Sequence, residues 1–134
     1  MELDIFYQTL VFLHGFPDSA SSWRPLMSRL SKDGYHCLAP NQRGYGRSSK
    51  PLNKEVYDIK FLTADIASFV EKKANGKTVT LVIHDWGGAV GFAFARNYPE
   101  MVEKIVGINS PSIQGMVTQF KSNPRQLLAR TVSK

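Results

Sequence analysis

Six β-favouring residues, Thr-Val-Thr-Leu-Val-Ile at positions 78–83, run without a break into His84-Asp85-Trp86-Gly87-Gly88. A run that is apolar or β-branched on nearly every side suits a strand buried on both faces, as strands of a parallel sheet are. Residues 89–97 are small and apolar almost all round, which suits a helix packed tightly on that sheet, and Tyr98-Pro99 stops it. A buried strand, a tight glycine-rich turn and a close-packed helix call for a layered α/β core.

The rest of the chain repeats the alternation. Residues 7–13 read as a strand ended by His14-Gly15-Phe16-Pro17. Ser22 is placed to cap a helix in which Trp23, Leu26, Met27 and Leu30 follow helical spacing, with Gly34 at its end. Residues 35–39 read as a second strand before the turn-rich segment 40–49. Leu62, Ile66, Phe69 and Val70 mark the buried stripe of a helix that Asn75-Gly76 terminates. A fourth strand is expected at 104–109, closing at Ser110-Pro111, and the residues after it are weakly helical. Strands alternating with helices imply right-handed crossovers and a mostly parallel sheet with flanking helices.

At 134 residues, 43% hydrophobic and 21% charged, the chain fits one globular domain, and disorder and fibrous repeats are excluded. The formal charge is +6, but Lys and Arg are spread without a run of five, so nucleic acid is not an expected partner. Part of the excess is local: no carboxylate follows Glu103, while Lys104, Lys121, Arg125, Arg130 and Lys134 do. No apolar run approaches the ~20 residues of a membrane span, and residues 5–13 are interrupted by Gln8 and Thr9. The start Met-Glu-Leu-Asp lacks the features of a signal peptide, so a cytoplasmic setting is expected. The single cysteine, Cys37, is expected to be a buried core thiol, and no metal or cofactor is expected.

Chemistry concentrates at residues 83–88. In a strand-turn-helix elbow the central residue sits in a strained backbone conformation with its side chain presented to substrate, and small neighbours let strand and helix approach. Gly87 and Gly88 meet that need, while Ile83 stands where glycine is more usual. The central residue is Asp85, not serine. A carboxylate there displaces a leaving group at an sp³ carbon and forms an alkyl ester, which disfavours acyl transfer by a serine.

These residues resemble the epoxide hydrolase branch of the α/β-hydrolase superfamily. The matching pieces, in order, are Leu13-His14-Gly15-Phe16-Pro17-Asp18 with Ser22-Trp23-Arg24, then Gly34-Tyr35, Arg43-Gly44-Tyr45-Gly46-Arg47-Ser48, His84-Asp85-Trp86-Gly87-Gly88 and Tyr98-Pro99-Glu100. The resemblance implies a partial α/β-hydrolase fold, one domain over 1–134, truncated before the late strands and the cap. Residues 111–134 would lead into that missing cap, with Asn123-Pro124-Arg125-Gln126-Leu127-Leu128 looking like its start. The family's earlier strands would be missing or replaced by residues 1–8.

The resemblance also implies roles. Asp85 would open a small-molecule epoxide, and the backbone N–H groups of Phe16 and Trp86 would hold the oxyanion when water attacks the resulting ester. His14, Gly15, His84 and Gly87 would support the loops. Family members use two cap tyrosines to protonate the alkoxide and a late histidine with an acid partner to activate water. The five tyrosines here all precede residue 99 and the three histidines are His14, His36 and His84, so neither group is present and turnover is not expected.

Plainer readings compete. Asp85 could be an ordinary helix cap. Trp86 could pack in the core, His36 could be a satisfied strand histidine, and Gly44, Gly46 and Ser48 suit a turn, lacking the Lys-Ser/Thr of a phosphate cradle. Haloalkane dehalogenases share the Asp-Trp elbow, but many use an Asn side chain where Phe16 stands. A non-catalytic fragment or interaction protein is the remaining alternative, and an uncovered sheet edge would favour self-association.

Overall fold

The computed structural model describes residues 7–110 and Gln114. Four strands, β1 (Thr9–Leu13), β2 (His36–Leu38), β3 (Val79–His84) and β4 (Val102–Ile108), form one sheet in the order β2-β1-β3-β4. Every pairing is parallel. The connections are helices α1 (Arg24–Lys32), α2 (Ile59–Lys73) and α3 (Trp86–Asn97), so the α/β architecture holds. Among the described residues no helix is long and apolar enough to cross a membrane.

The period of two along the strands sorts the core into two faces. Val11 and Leu13 of β1 and Val79, Leu81 and Ile83 of β3 meet Ile66 and Val70 of α2 and Val90 and Phe94 of α3. Leu10, Phe12 and Val82 point the other way and meet Trp23, Met27 and Leu30 beside α1. Because β1 and β3 are central, all five residues of β1 and the first five of β3 are buried.

Several expected boundaries move, each for a local reason. The first helical turn begins earlier: Ser19, not Ser22, caps a 3-10 turn at Ala20–Trp23, its hydroxyl accepting from Ser21 N–H. Ser22 lies inside that turn and its hydroxyl donates to the Ser19 carbonyl, so it cannot cap the helix that follows. α3 starts at Trp86 rather than residue 89, because the elbow turns straight into helix. β1 starts at Thr9, leaving Tyr7 82% exposed, and β4 starts at Val102. Cys37 is half-buried, since β2 is an outer strand, and this burial still pushes its thiol pKa up. The proposed cap start at residues 123–128, and any replacement of earlier strands by residues 1–6, lie outside the described residues.

Candidate active site

Parallel pairing places the C-terminal ends of all four strands at one edge of the sheet, where the loops after them converge. Leu13 of β1 pairs with Ile83 of β3, so the His14-Gly15-Phe16 loop and the His84-Asp85-Trp86 elbow leave adjacent strands side by side.

Asp85 has φ 52° and ψ −123°, in the region that disfavours any residue with a Cβ, at a cost of ~1–3 kcal/mol. Its neighbours hold it there. The Asp85 carbonyl accepts from Gly88 N–H at 2.9 Å and from the Ser110 hydroxyl at 3.2 Å. Asp85 does sit at the N-cap of α3, yet its side chain makes no cap hydrogen bond. The carboxylate instead accepts the Phe16 N–H on Oδ1 at 2.9 Å. A helix-capping explanation of Asp85 therefore fails on geometry.

Close approach depends on missing side chains. A Cβ on Gly15 would come within 2.5 Å of Asp85 Cβ, and one on Gly87 within 2.2 Å of the Leu13 carbonyl oxygen. Ile83, unusual for its place, is accommodated by Gly91 one turn into α3, where a Cβ would lie 2.5 Å from Ile83 Cγ2.

His14 is 1% exposed and both ring nitrogens are engaged. Its Nε2 accepts from Gln42 N–H at 3.1 Å, which leaves the proton on Nδ1 to be donated to the Gly15 carbonyl at 3.0 Å. With its one lone pair taken, this imidazole is unsuited to act as a base. The Gln42 side-chain amide donates to the His14 carbonyl at 2.7 Å, and Tyr45 packs edge-on against the imidazole at 4.8 Å. Gln42 and Ser110 are site residues that sequence reasoning missed.

Of the other expected residues, Trp86 heads α3 with its side chain 63% exposed, so it is not core packing. Among the described residues its N–H makes no hydrogen bond, in keeping with a first-turn amide. Only the Phe16 N–H of the two expected oxyanion donors reaches the carboxylate. His84 is the last residue of β3 and half-buried. Asp18 is held below the usual carboxylate range, first by the Ser19 backbone N–H and then by Ser22. His36 lies at the far edge of the sheet, its Nδ1 3.3 Å from Thr9 Oγ1.

A cavity of about 360 Å³ opens beside the elbow, lined largely by apolar groups including Phe16, Trp86, Tyr45, Tyr57, Leu62 and Val90. Burial pushes the Tyr45 pKa up, and the nearby Asp85 charge adds to it, so this phenol stays protonated. The loop carrying Gln42 and Tyr45 is tied to α2 by Arg43, which clamps Asp65 with two hydrogen bonds of 2.8 and 2.7 Å and donates to the Val56 carbonyl. A larger space of about 570 Å³ lies at the opposite edge, beside Thr9, His36 and Lys72, away from Asp85.

Comparison with known proteins places this geometry among relatives. The family described as alpha/beta hydrolase fold matches residues 8–130. The chain is 42% identical to Epoxide hydrolase 1 of Caenorhabditis elegans over 102 residues, which are 76% of this chain and 25% of that protein. It is 38% identical to AB hydrolase superfamily protein YfhM of Bacillus subtilis over 119 residues, 89% of this chain and 41% of that protein. The chain thus spans less than half the length of either relative. The crystal structure of Epoxide Hydrolase A from Mycobacterium thermoresistibile superposes with a TM-score of 0.70 at 42% identity, over 75% of this chain and 31% of that one.

Proposed function

This chain belongs to the alpha/beta hydrolase fold family, and from that membership we propose that it carries the ester-forming chemistry of an epoxide hydrolase, with Asp85 as nucleophile. The observation that carries the reading is the carboxylate of Asp85, presented from a strained elbow and oriented by the Phe16 N–H at 2.9 Å. A carboxylate oxygen attacks an epoxide carbon, forming a C–O bond while the ring C–O bond breaks. The electron pair remains on the former epoxide oxygen, and the alkoxide takes its proton from solvent. The ester carbonyl left on Asp85 keeps the Phe16 N–H, with Trp86 N–H as second donor when charge develops there. His14, Gly15, His84 and Gly87 support the two loops. The epoxide hydrolase names among the relatives support epoxide over halide, as does Phe16, which has no side-chain donor for a departing halide. A cytoplasmic setting belongs to this proposal, in keeping with the single cysteine.

Hydrolysis of the ester needs a base. Both His14 nitrogens are occupied, His36 is at the far edge, and His84 is read as a support of the elbow at the end of β3. The polypeptide of residues 1–134 is therefore expected to react once with an electrophilic epoxide and remain modified. Intact-mass spectrometry with peptide mapping, beside a diol assay, tests this. A single adduct on the peptide holding Asp85 is expected. Sustained diol production would overturn the single-turnover claim, and an unmodified protein would overturn the nucleophile assignment.

Self-association is a second part of the proposal. Among the described residues β4 pairs only with β3, and Val106 and Ile108 are 49% and 41% exposed. An open strand edge beside exposed apolar groups is a template for pairing with another copy. Light scattering after size exclusion is expected to give a mass above 15.0 kDa that rises with concentration. A monomer at all concentrations would contradict this.

A further inference from the structure

Gly15 C=O and Phe16 N–H belong to one peptide group, so whatever fixes the carbonyl also aims the N–H. That carbonyl accepts two hydrogen bonds, from His14 Nδ1 at 3.0 Å and from Asp18 N–H at 3.1 Å. The N–H at the other end of the same plane meets Asp85 Oδ1 at 2.9 Å. His14 can donate from Nδ1 while accepting at Nε2 only as the neutral Nδ1–H tautomer, and the group that selects that tautomer is Gln42 N–H at 3.1 Å. The Gln42 side chain then grips the His14 carbonyl at 2.7 Å, so one residue holds His14 at both its ring and its backbone. Gln42 itself is held, because the next residue, Arg43, is locked to Asp65 and Val56.

We propose that Gln42 is a positioning residue for the ester-forming step, setting through His14 the plane of the Gly15–Phe16 peptide that orients the Asp85 carboxylate. This rests on the reading of Asp85 as nucleophile. It adds a residue 28 positions from His14 and 43 from Asp85 that lines the cavity beside the elbow and acts on the carboxylate through His14 and the Gly15–Phe16 peptide. Two donations into the carbonyl of one peptide also polarise it, which strengthens the N–H as a donor.

Gln42→Met removes the side-chain donor at nearly constant size and keeps the backbone N–H. With the hold on the His14 backbone gone and the peptide less firmly aimed, the Phe16 amide proton is expected to move upfield in the NMR spectrum. The maximal rate of Asp85 alkylation is expected to fall about tenfold, a larger change than in the half-saturating epoxide concentration, as befits lost orientation more than lost binding. A purely structural role would lower the unfolding midpoint without splitting these two constants. In the parent chain, ¹⁵N spectra are expected to show His14 neutral with its proton on Nδ1. A proton on Nε2 would overturn the proposal without any variant. So would a Gln42→Met protein whose Phe16 amide shift and maximal rate match the parent. If the parent is never alkylated, the nucleophile assignment fails, while the tautomer and the Phe16 amide still decide whether Gln42 sets the peptide.

Discussion

Replacing Asp85 by alanine or by glycine is expected to reduce epoxide labelling to background, while the two variants differ in stability. Both remove the carboxylate that the Phe16 N–H orients, and among the described residues no other carboxylate accepts that donor. Alanine keeps a Cβ at φ 52°, a conformation whose strain costs ~1–3 kcal/mol. Glycine relieves that strain and returns ~0.5–1 kcal/mol of it as extra chain entropy in the unfolded state. The glycine variant is therefore expected to be the more stable by about 1 kcal/mol in urea unfolding. An adduct on either variant would move the nucleophile elsewhere. An alanine variant as stable as the glycine one would remove strain from the account of the elbow.

Gly87→Ala is expected to be the most damaging glycine-to-alanine change among the described residues. The new carbon would fall 2.2 Å from the Leu13 carbonyl oxygen, 2.6 Å from its carbon and 2.7 Å from the His14 carbonyl oxygen. All three are backbone atoms of β1 and the loop after it, and β1 is paired on both sides. Relief would require moving a central strand, so a loss of about 3 kcal/mol or more is expected, a large share of the 5–15 kcal/mol that ordinary domains possess. Gly76→Ala is the control: nothing lies within 4 Å, and only its φ of 73° opposes the change, at ~1–2 kcal/mol. Circular dichroism of the two variants during urea titration checks the order. Equal stabilities would mean that the close approach of α3 to β1 is not what demands Gly87.

Local pattern made the strand and helix around Asp85 legible, because a buried β run followed by a helix of small residues has few other uses. The same pattern could not show which serine caps the first turn. Three of the residues at positions 19–22 are serines, and the choice of Ser19 depends on how the chain arrives from Pro17 and Asp18. Ile83 looked out of place, and its remedy, Gly91, sits eight residues on, where a glycine inside a helix was the available signal. The plainer reading of Trp86 as core packing fails, because heading α3 beside the cavity leaves its side chain exposed. Gln42 and Ser110 act through contacts 28 and 25 residues away, one of them made by a backbone N–H that every residue but proline possesses. No spacing rule in the sequence marks such partners.

The hydrogen bond from Phe16 to Asp85 joins residues 69 apart in the chain, and it exists only when Leu13 stands opposite Ile83. A slip of one residue between β1 and β3 would carry the Phe16 N–H ~3.3 Å along the sheet and exchange the inward and outward faces of the strand. A misregistered molecule would thus keep its sheet and helices while losing its oriented carboxylate. Covalent labelling of Asp85 consequently counts the molecules whose strands have found the right alignment, and serves as a proofreading assay for the topology as well as a test of the chemistry.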